Sequence, residues 1–224
     1  MAQYRMYVTG ASLALAFMAV LPMEARADSY GFTCITNDSA TNAAVGEQFT
    51  VDVTDAGTDQ VLFTFMNSGP LASSITDVYF DDGTLLSIAG LVDADNGGNS
   101  GVYFSQEATP HDLPGGNSIV PPFVTTDPLS AGSDSPVQPN GVNPGEWLGV
   151  LFDLQPEKGF ADVISAIDLG ISNPGSPDSL RIGIHVQGFA DGGSESFVVT
   201  PAPAAVFLGL LGLGAAGMKL RRLA

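Results

Sequence analysis

Residue types suited to catalysis are sparse in this chain and stand far apart. The histidines are His111 and His185, and neither lies in the HExxH or His-x-His spacing of a zinc site. Cys34 is the only cysteine, so no internal disulfide forms, and no base is placed to activate it as a nucleophile. A G-x-S-x-G elbow and the glycine-rich phosphate and dinucleotide fingerprints are missing too. The sequence therefore predicts no nucleophilic or zinc-dependent catalysis.

Carboxylates are abundant, with 24 Asp and Glu residues in 224. Glycoside hydrolysis requires only two carboxyl groups at a set separation. No particular pair stands out in the sequence. A secreted carbohydrate-active hydrolase that uses paired carboxylates therefore stays open as an alternative function.

Calcium binding is the other chemistry that carboxylates suggest, and the best candidate is the run DADNGGN. Asp93, Asp95 and Asn96 offer oxygen ligands just before two glycines, as at the start of a calcium loop. Position five of that loop would be Gly97 and position twelve Phe104, so the EF-hand pattern fails. The candidate Ca²⁺ ligands are Asp93, Asp95 and Asn96, with a solvated turn as the competing interpretation.

A candidate ligand face lies on the segment LRIGIHVQ. Arg181, His185 and Gln187 alternate there with apolar residues that face a core. A polar stripe of this kind on a flat sheet is able to bind a sugar, and it is also typical of a solvated outer face. Both interpretations remain open from the sequence.

The elements that position these residues are mostly β-strands, because the hydrophobic pattern has a period of two. Strands are predicted at 30–35, 49–54, 61–66, 75–80, 85–92, 102–104, 147–152, 180–186 and 196–199. A turn is predicted at 81–83 and one short helix at 160–169, where apolar residues recur at i, i+3, i+4 and i+7. This pattern predicts an all-β fold, an antiparallel β-sandwich or jelly roll with one short helix.

The pattern stops between residues 106 and 146, which hold eight of the 15 prolines. Proline removes ladder donors, so a central strand is not expected there. We predict a long Pro/Gly-rich excursion, with room for a short edge strand such as 119–125. Loops of this length are often functional.

Residues 1–27 are predicted to be a signal peptide. Arg5 supplies the positive n-region, residues 8–21 the apolar h-region, and Ala25-Arg26-Ala27 an A-x-A-like cleavage site. The mature chain is then expected to begin at Asp28.

The domain predicted at 28–199 is strongly acidic. It contains two cations, Lys158 and Arg181, against 23 acids, a net charge of −21. A surface of this charge repels nucleic acid and anionic lipid headgroups. It suits an exported protein that stays soluble in salt, or one that collects divalent cations.

Residues 200–224 form a third segment with its own composition. Pro201-Ala202-Pro203 precedes an apolar run at 204–218, which ends at the basic residues Lys219, Arg221 and Arg222. As a helix the run is about 22 Å long against a hydrocarbon core of about 30 Å, and snorkelling Lys and Arg make up the difference. The basic end predicts a membrane span with its C-terminus in the cytoplasm.

This tail resembles the PEP-CTERM sorting tail of proteins exported by Gram-negative bacteria that make extracellular polymers. The resemblance covers about 25 residues: the Pro-x-Pro motif, the Leu/Gly/Ala-rich span and the terminal Arg cluster. Ala202 stands where the usual motif has Glu. The resemblance implies that an exosortase-type membrane peptidase recognises and processes the tail, after signal peptidase has removed the leader.

Taken together, the sequence predicts an exported cell-envelope or extracellular-matrix protein. It is expected to be non-enzymatic, structural or adhesive, and associated with exopolysaccharide. Its domain is expected outside the cytoplasm, either anchored by the tail or released to the cell surface or medium after tail processing.

Overall fold

The computed structural model describes residues 27–40, 42–82, 86–92 and 101–201, and most of them lie in β-strands. The strands are β1 Ala27–Cys34, β2 Phe49–Asp55, β3 Gln60–Asn67, β4 Ser74–Asp82, β5 Leu86–Val92, β6 Phe104–Gln106, β7 Ser130–Ser133, β8 Trp147–Leu154, β9 Leu180–Gln187 and β10 Glu195–Pro201. The helices are α1 Asn42–Gly46, α2 Val137–Asn140 and α3 Phe160–Ser172, with a 3₁₀ turn at Gly116–Ser118.

All ten described strands belong to one antiparallel sheet, in the order β5-β8-β3-β2-β1-β10-β9-β4-β7-β6. Four strands separate β3 from β4, so a flat sheet would hold them roughly 24 Å apart. The rings of Phe63 on β3 and Phe80 on β4 nevertheless pack edge-to-face with centroids 5.3 Å apart. The sheet therefore curls until its two halves face each other.

The main core fills the space between those halves. On β2, Phe49, Val51 and Val53 are buried while the intervening residues are partly exposed, as the period-two pattern predicts. Phe152 on β8 packs against Phe80 with ring centroids 4.7 Å apart. Each fully buried side chain of this size stabilises the fold by about 1.5–3 kcal/mol relative to exposure.

The prediction of an antiparallel β fold is confirmed, and three local expectations differ from the structure. One short helix was predicted, whereas the described residues also form the short helices α1 and α2. β4 continues through Asp81 and Asp82, where a turn was predicted, because both residues pair with β9. Within the excursion, the strand lies at Ser130–Ser133 rather than at 119–125. Tyr79 of β4 pairs with Ser130, so the excursion extends the sheet at its edge.

Helix α3 packs against β9 and β10 at one end of the curled sheet. Phe160, Val163 and Ile167 are buried on its inner face, which confirms the predicted helical spacing. The helix begins after Gly159, whose N–H donates to the Asp162 carboxylate at 2.8 Å. Within the described ranges, none of the helices has the length and apolar character needed to cross a bilayer.

The first and last strands are neighbours. β1 and β10 run antiparallel with Tyr30 opposite Pro201 and Gly31 opposite Thr200. Residue 27 and residue 201 therefore lie at the same end of the sheet, which we call the tail end. The loops at 35–48, 68–73, 134–146 and 188–194 lie at the opposite end, because the register of each adjoining strand places them there.

Candidate functional site

The predicted excursion covers the outer face of β4 and β9. Leu113 and Phe123 of the excursion pack with Tyr79 and Ala108 in a second hydrophobic cluster, separate from the main core. Gly183 on β9 lets them approach: a Cβ at this position would lie 2.7 Å from the Leu113 side chain. The part of β9 around Gly183 and Arg181, which was expected to face solvent or a ligand, therefore faces a protein cover.

Arg181 is bound into that cover rather than presented to a ligand. It is only 9% exposed and forms an ion pair with Asp81, its cross-strand neighbour on β4. Its Nη1 donates to the Pro121 carbonyl at 3.0 Å, and its Nη2 donates to the Pro122 carbonyl. The guanidinium also lies 5.2 Å from the centre of the Phe123 ring. This cation is therefore the latch that holds the excursion on the sheet.

His185 stands in a polar row across three neighbouring strands. Asp77 on β4 and Ser196 on β10 lie opposite His185 on its two sides. His185 Nδ1 lies 3.0 Å from Ser196 Oγ. Burial lowers the pKa of His185, so its ring is neutral at neutral pH. Burial also raises the pKa of Asp77 to about 6, although a hydrogen bond from Thr76 opposes this rise.

Serine, histidine and aspartate are the residue types of a hydrolase triad, but this row is not arranged for catalysis. Ser196 has no exposed surface, so a substrate cannot reach its hydroxyl. The Thr76 hydroxyl donates to Asp77 at 2.8 Å. The row spans β4, β9 and β10, and the contact of His185 with Ser196 links β9 to β10.

A buried carboxylate, Glu195, fixes the chain after β1. Its side chain has no exposed surface and accepts hydrogen bonds from the Thr36 hydroxyl and the Ser39 N–H. The Ser39 hydroxyl in turn donates to Asp191 at 2.8 Å. The charge of Glu195 is thus stabilised by donors from a segment about 160 residues away, and no sequence pattern indicates this pairing.

Cys34 lies beside this carboxylate. Its Sγ is 3.1 Å from the Thr36 carbonyl and 3.7 Å from the Glu195 carboxylate. Burial raises the pKa of the thiol, and the Glu195 charge acts in the same direction. A thiol held protonated in this way is a poor nucleophile and a poor metal ligand.

The other predicted site residues fall mostly outside the described ranges. These are the calcium candidates Asp93, Asp95 and Asn96, the motif residues Ala202 and Pro203, and the basic residues Lys219, Arg221 and Arg222. Pro201 is the last residue of β10. Across the described ranges, no three His, Cys, Asp or Glu residues are grouped so as to hold a metal ion.

An open groove at the end opposite the tail is the best candidate for ligand contact. Its cavity volume is about 440 Å³. The described part of the lining contains no charged side chain and consists of Ala72, Ser73, Ser74, Gln138, Pro139, Asn143, Pro144 and Gly188. Gln187, the last of the three predicted ligand-face residues, is opposite Ser74 and precedes Gly188, so it borders the groove.

One wall of the groove is fixed by a buried amide network. Gln48 Nε2 donates to Asn67 Oδ1 at 2.8 Å and to Ser73 Oγ at 2.7 Å. Asn67 Nδ2 donates to the Ser73 carbonyl at 3.2 Å and to the Val142 carbonyl at 3.1 Å. Buried amides that satisfy each other in this way rigidify the loops they join.

The other wall is fixed by close backbone contact. Ser74 Oγ donates to the Gln138 carbonyl at 2.8 Å, and Ile75 and Val142 exchange two backbone hydrogen bonds. At Gly141 a Cβ would lie 2.3 Å from Ser74 Oγ, so only glycine permits this approach. The groove is therefore preformed, and none of the described side chains that line it carries a charge that would select an ionic ligand.

Comparison of the chain with known proteins found no matching family model, no matching curated protein and no matching solved structure.

Proposed function

We propose that this protein is an exported, non-enzymatic component of the cell envelope or extracellular matrix, sorted by its C-terminal tail. The observation that carries the proposal is the adjacency of β1 and β10. The predicted leader and the predicted tail both join the domain at its tail end, and the whole opposite end is left for contacts. This arrangement supports a displayed structural or adhesive module.

The uncharged groove supports polysaccharide as the partner of this module. Hydroxyl-rich neutral sugars bind through uncharged hydrogen-bonding groups such as those of Ser74, Gln138 and Asn143. The net charge of −21 disfavours anionic ligands and nucleic acid by long-range repulsion. We also propose that the curled sheet is a jelly-roll-like β-sandwich, which is supported by the packing of Phe63 on Phe80 across the core.

The non-enzymatic part of the proposal is supported by how the reactive side chains are used. Ser196 is buried, and Arg181 and Glu195 hold other segments of the chain in place. Each of these groups therefore has a structural task. The secreted hydrolase remains the alternative that an experiment must exclude.

The test is to incubate the purified native protein with neutral exopolysaccharides and to measure binding and released reducing ends together. The proposal predicts that the protein sediments with polysaccharide and releases no reducing ends. Release of reducing ends that is abolished by one Asp→Asn or Glu→Gln substitution would establish the hydrolase instead. If the protein neither binds polysaccharide nor releases reducing ends, the adhesive role is ruled out.

A further inference from the structure

We infer that the tail end of the domain rests on a zwitterionic membrane surface through a rigid apolar patch around Val120 and Val124. The inference rests on the proposed function, because it takes the run 204–218 to be a membrane span. The patch comprises Ile119, Val120, Pro121, Val124, Ile171 and Pro174, and we call it the tail-end patch.

The length of chain between the domain and the apolar run brings the two close together. Thr200 is held in β10 opposite Gly31, and the apolar run begins at Ala204. Four Cα-to-Cα steps span at most about 14 Å even when fully extended. The headgroup layer on each side of the hydrocarbon core is itself about 5–8 Å thick. The tail end is therefore tethered within roughly 10 Å of the headgroup surface, so contact between the two requires no large movement of the domain.

The surface around this attachment point is unusually apolar. Val120 is 94% exposed and Val124 is 61% exposed, the two highest values among the large hydrophobic residues that the structure describes. Val120, Ile171 and Pro174 line a groove of about 190 Å³, and Thr200 lines it as well. The patch and the start of the tail thus share one surface, and contact with lipid would remove this apolar area from water.

The excursion holds the patch in a fixed position. Arg181 binds the carbonyls of Pro121 and Pro122, and the Val124 N–H donates to the Asp81 carboxylate at 3.1 Å. Phe123 between them is buried. Because the backbone next to both valines is held in place, little conformational entropy is lost when their side chains insert into the membrane surface.

The charges on the groove and on the whole domain indicate which lipid headgroups the patch contacts. Among the described residues that line the groove, only Arg181 is charged, and its ion pair with Asp81 neutralises it. The domain as a whole carries a charge of −21, which repels anionic headgroups. A zwitterionic phospholipid surface therefore fits the patch, whereas an anionic surface opposes contact.

The test uses two variants of the full-length chain, each with a fluorescent label at one of the two ends of the domain. Cys34 is replaced by Ser, and Val120→Cys or Val137→Cys is labelled with an environment-sensitive dye and reconstituted into phosphatidylcholine vesicles. Val137 is 39% exposed and lies at the opposite end, so it is the matched control. We expect a blue-shifted emission and several-fold weaker iodide quenching at position 120 and neither effect at position 137. Replacing part of the lipid with phosphatidylglycerol should reduce the shift.

The outcomes separate the inference from the proposed function. If the protein floats with the vesicles but both dyes are quenched equally, the membrane contact is wrong and the anchor stands. If the protein does not float with the vesicles, the anchor fails and the inference fails with it. A shift that grows with phosphatidylglycerol content would contradict the assignment of a zwitterionic surface.

Discussion

Tyr30 and Pro201 lie opposite each other on the neighbouring antiparallel strands β1 and β10. This pairing joins the two ends of the domain in the middle of the sheet, with four strands on the β2 side and four on the β9 side. A pull on the tail therefore acts on a strand that is hydrogen-bonded on both edges. The relationship suits a domain that is held by its C-terminus.

The ion pair of Arg181 with Asp81 should dominate the attachment of the excursion. In Arg181→Met the Asp81 carboxylate loses its cationic partner and two proline carbonyls lose a donor. We expect a loss of about 3 kcal/mol in the free energy of unfolding, measured with urea, because breaking a largely buried pair leaves a charge uncompensated. Limited proteolysis should cut the excursion faster.

Lys158→Met is the control for this substitution. Lys158 is the other cation of the domain and is exposed, so the same change of charge should alter stability by less than about 0.5 kcal/mol. Equal effects of the two substitutions would show that total charge, and not the latch, accounts for the loss.

Asp77 should make stability depend on pH between 4 and 6. Burial raises its pKa from 3.8 to about 6, so the native state binds this proton more tightly than the unfolded state. The stability of the parent protein should therefore fall as pH rises through this window, by about 3 kcal/mol. Asp77→Asn carries no charge and should not show this loss.

The measurement is the unfolding free energy of the parent and of Asp77→Asn at pH 4 and pH 7. We expect the variant to gain stability relative to the parent between the two pH values. Asp153→Asn, at an exposed position, should follow the parent at both. If the difference in unfolding free energy between Asp77→Asn and the parent is the same at both pH values, the pKa of Asp77 is not raised in the native state.

Glu195 should hold the segment 36–39 much more strongly than Asp191 does. In Glu195→Gln an NH₂ group replaces one of the two carboxylate oxygens, so either Thr36 or Ser39 loses its acceptor. We expect the free energy of unfolding to fall by about 1–3 kcal/mol. Hydrogen exchange at the Ser39 amide should accelerate accordingly. Asp191→Asn, which also contacts Ser39 but is exposed, should change both readouts much less. Similar effects from the two variants would contradict a dominant role for the buried carboxylate.

Filling the groove should abolish polysaccharide binding without unfolding the protein. Ala72 is exposed and lines the groove, so Ala72→Trp adds an indole there. We expect co-sedimentation with neutral polysaccharide to fall several-fold and the melting temperature to stay the same. The control is Ala161→Trp, which adds the same indole at an exposed position on α3, outside the groove. Undiminished binding by Ala72→Trp would locate the ligand elsewhere.

Most of the strands and helix α3 could be predicted from the sequence, because each of them buries one face and its apolar residues therefore recur with a regular period. The strand β7 and the helices α1 and α2 were not predicted. The alternation of Arg181, His185 and Gln187 correctly placed these side chains opposite the core-facing residues of β9. It could not reveal that Leu113 and Phe123 cover this face, since they come from a distant proline-rich segment without periodicity.

Two other buried features that the sequence does not indicate are long-range pairings. Asp81 reads as the start of a turn, and it belongs to β4 because Arg181 stands opposite. Glu195 reads as one more solvated acid, and it is buried because Thr36 and Ser39 supply donors to it. Neither pairing has a local signature, because the partners are about 100 to 160 residues apart in sequence.

The most direct test of the account is the intact mass of the native protein, taken separately from the cytoplasm, the membrane fraction and the medium. We expect a chain that begins at Asp28 and lies outside the cytoplasm, with its C-terminus at Ala224 in membranes or near Pro201–Pro203 if the tail is processed. A full chain from Met1 to Ala224 confined to the soluble cytoplasmic fraction would contradict export, sorting and display together.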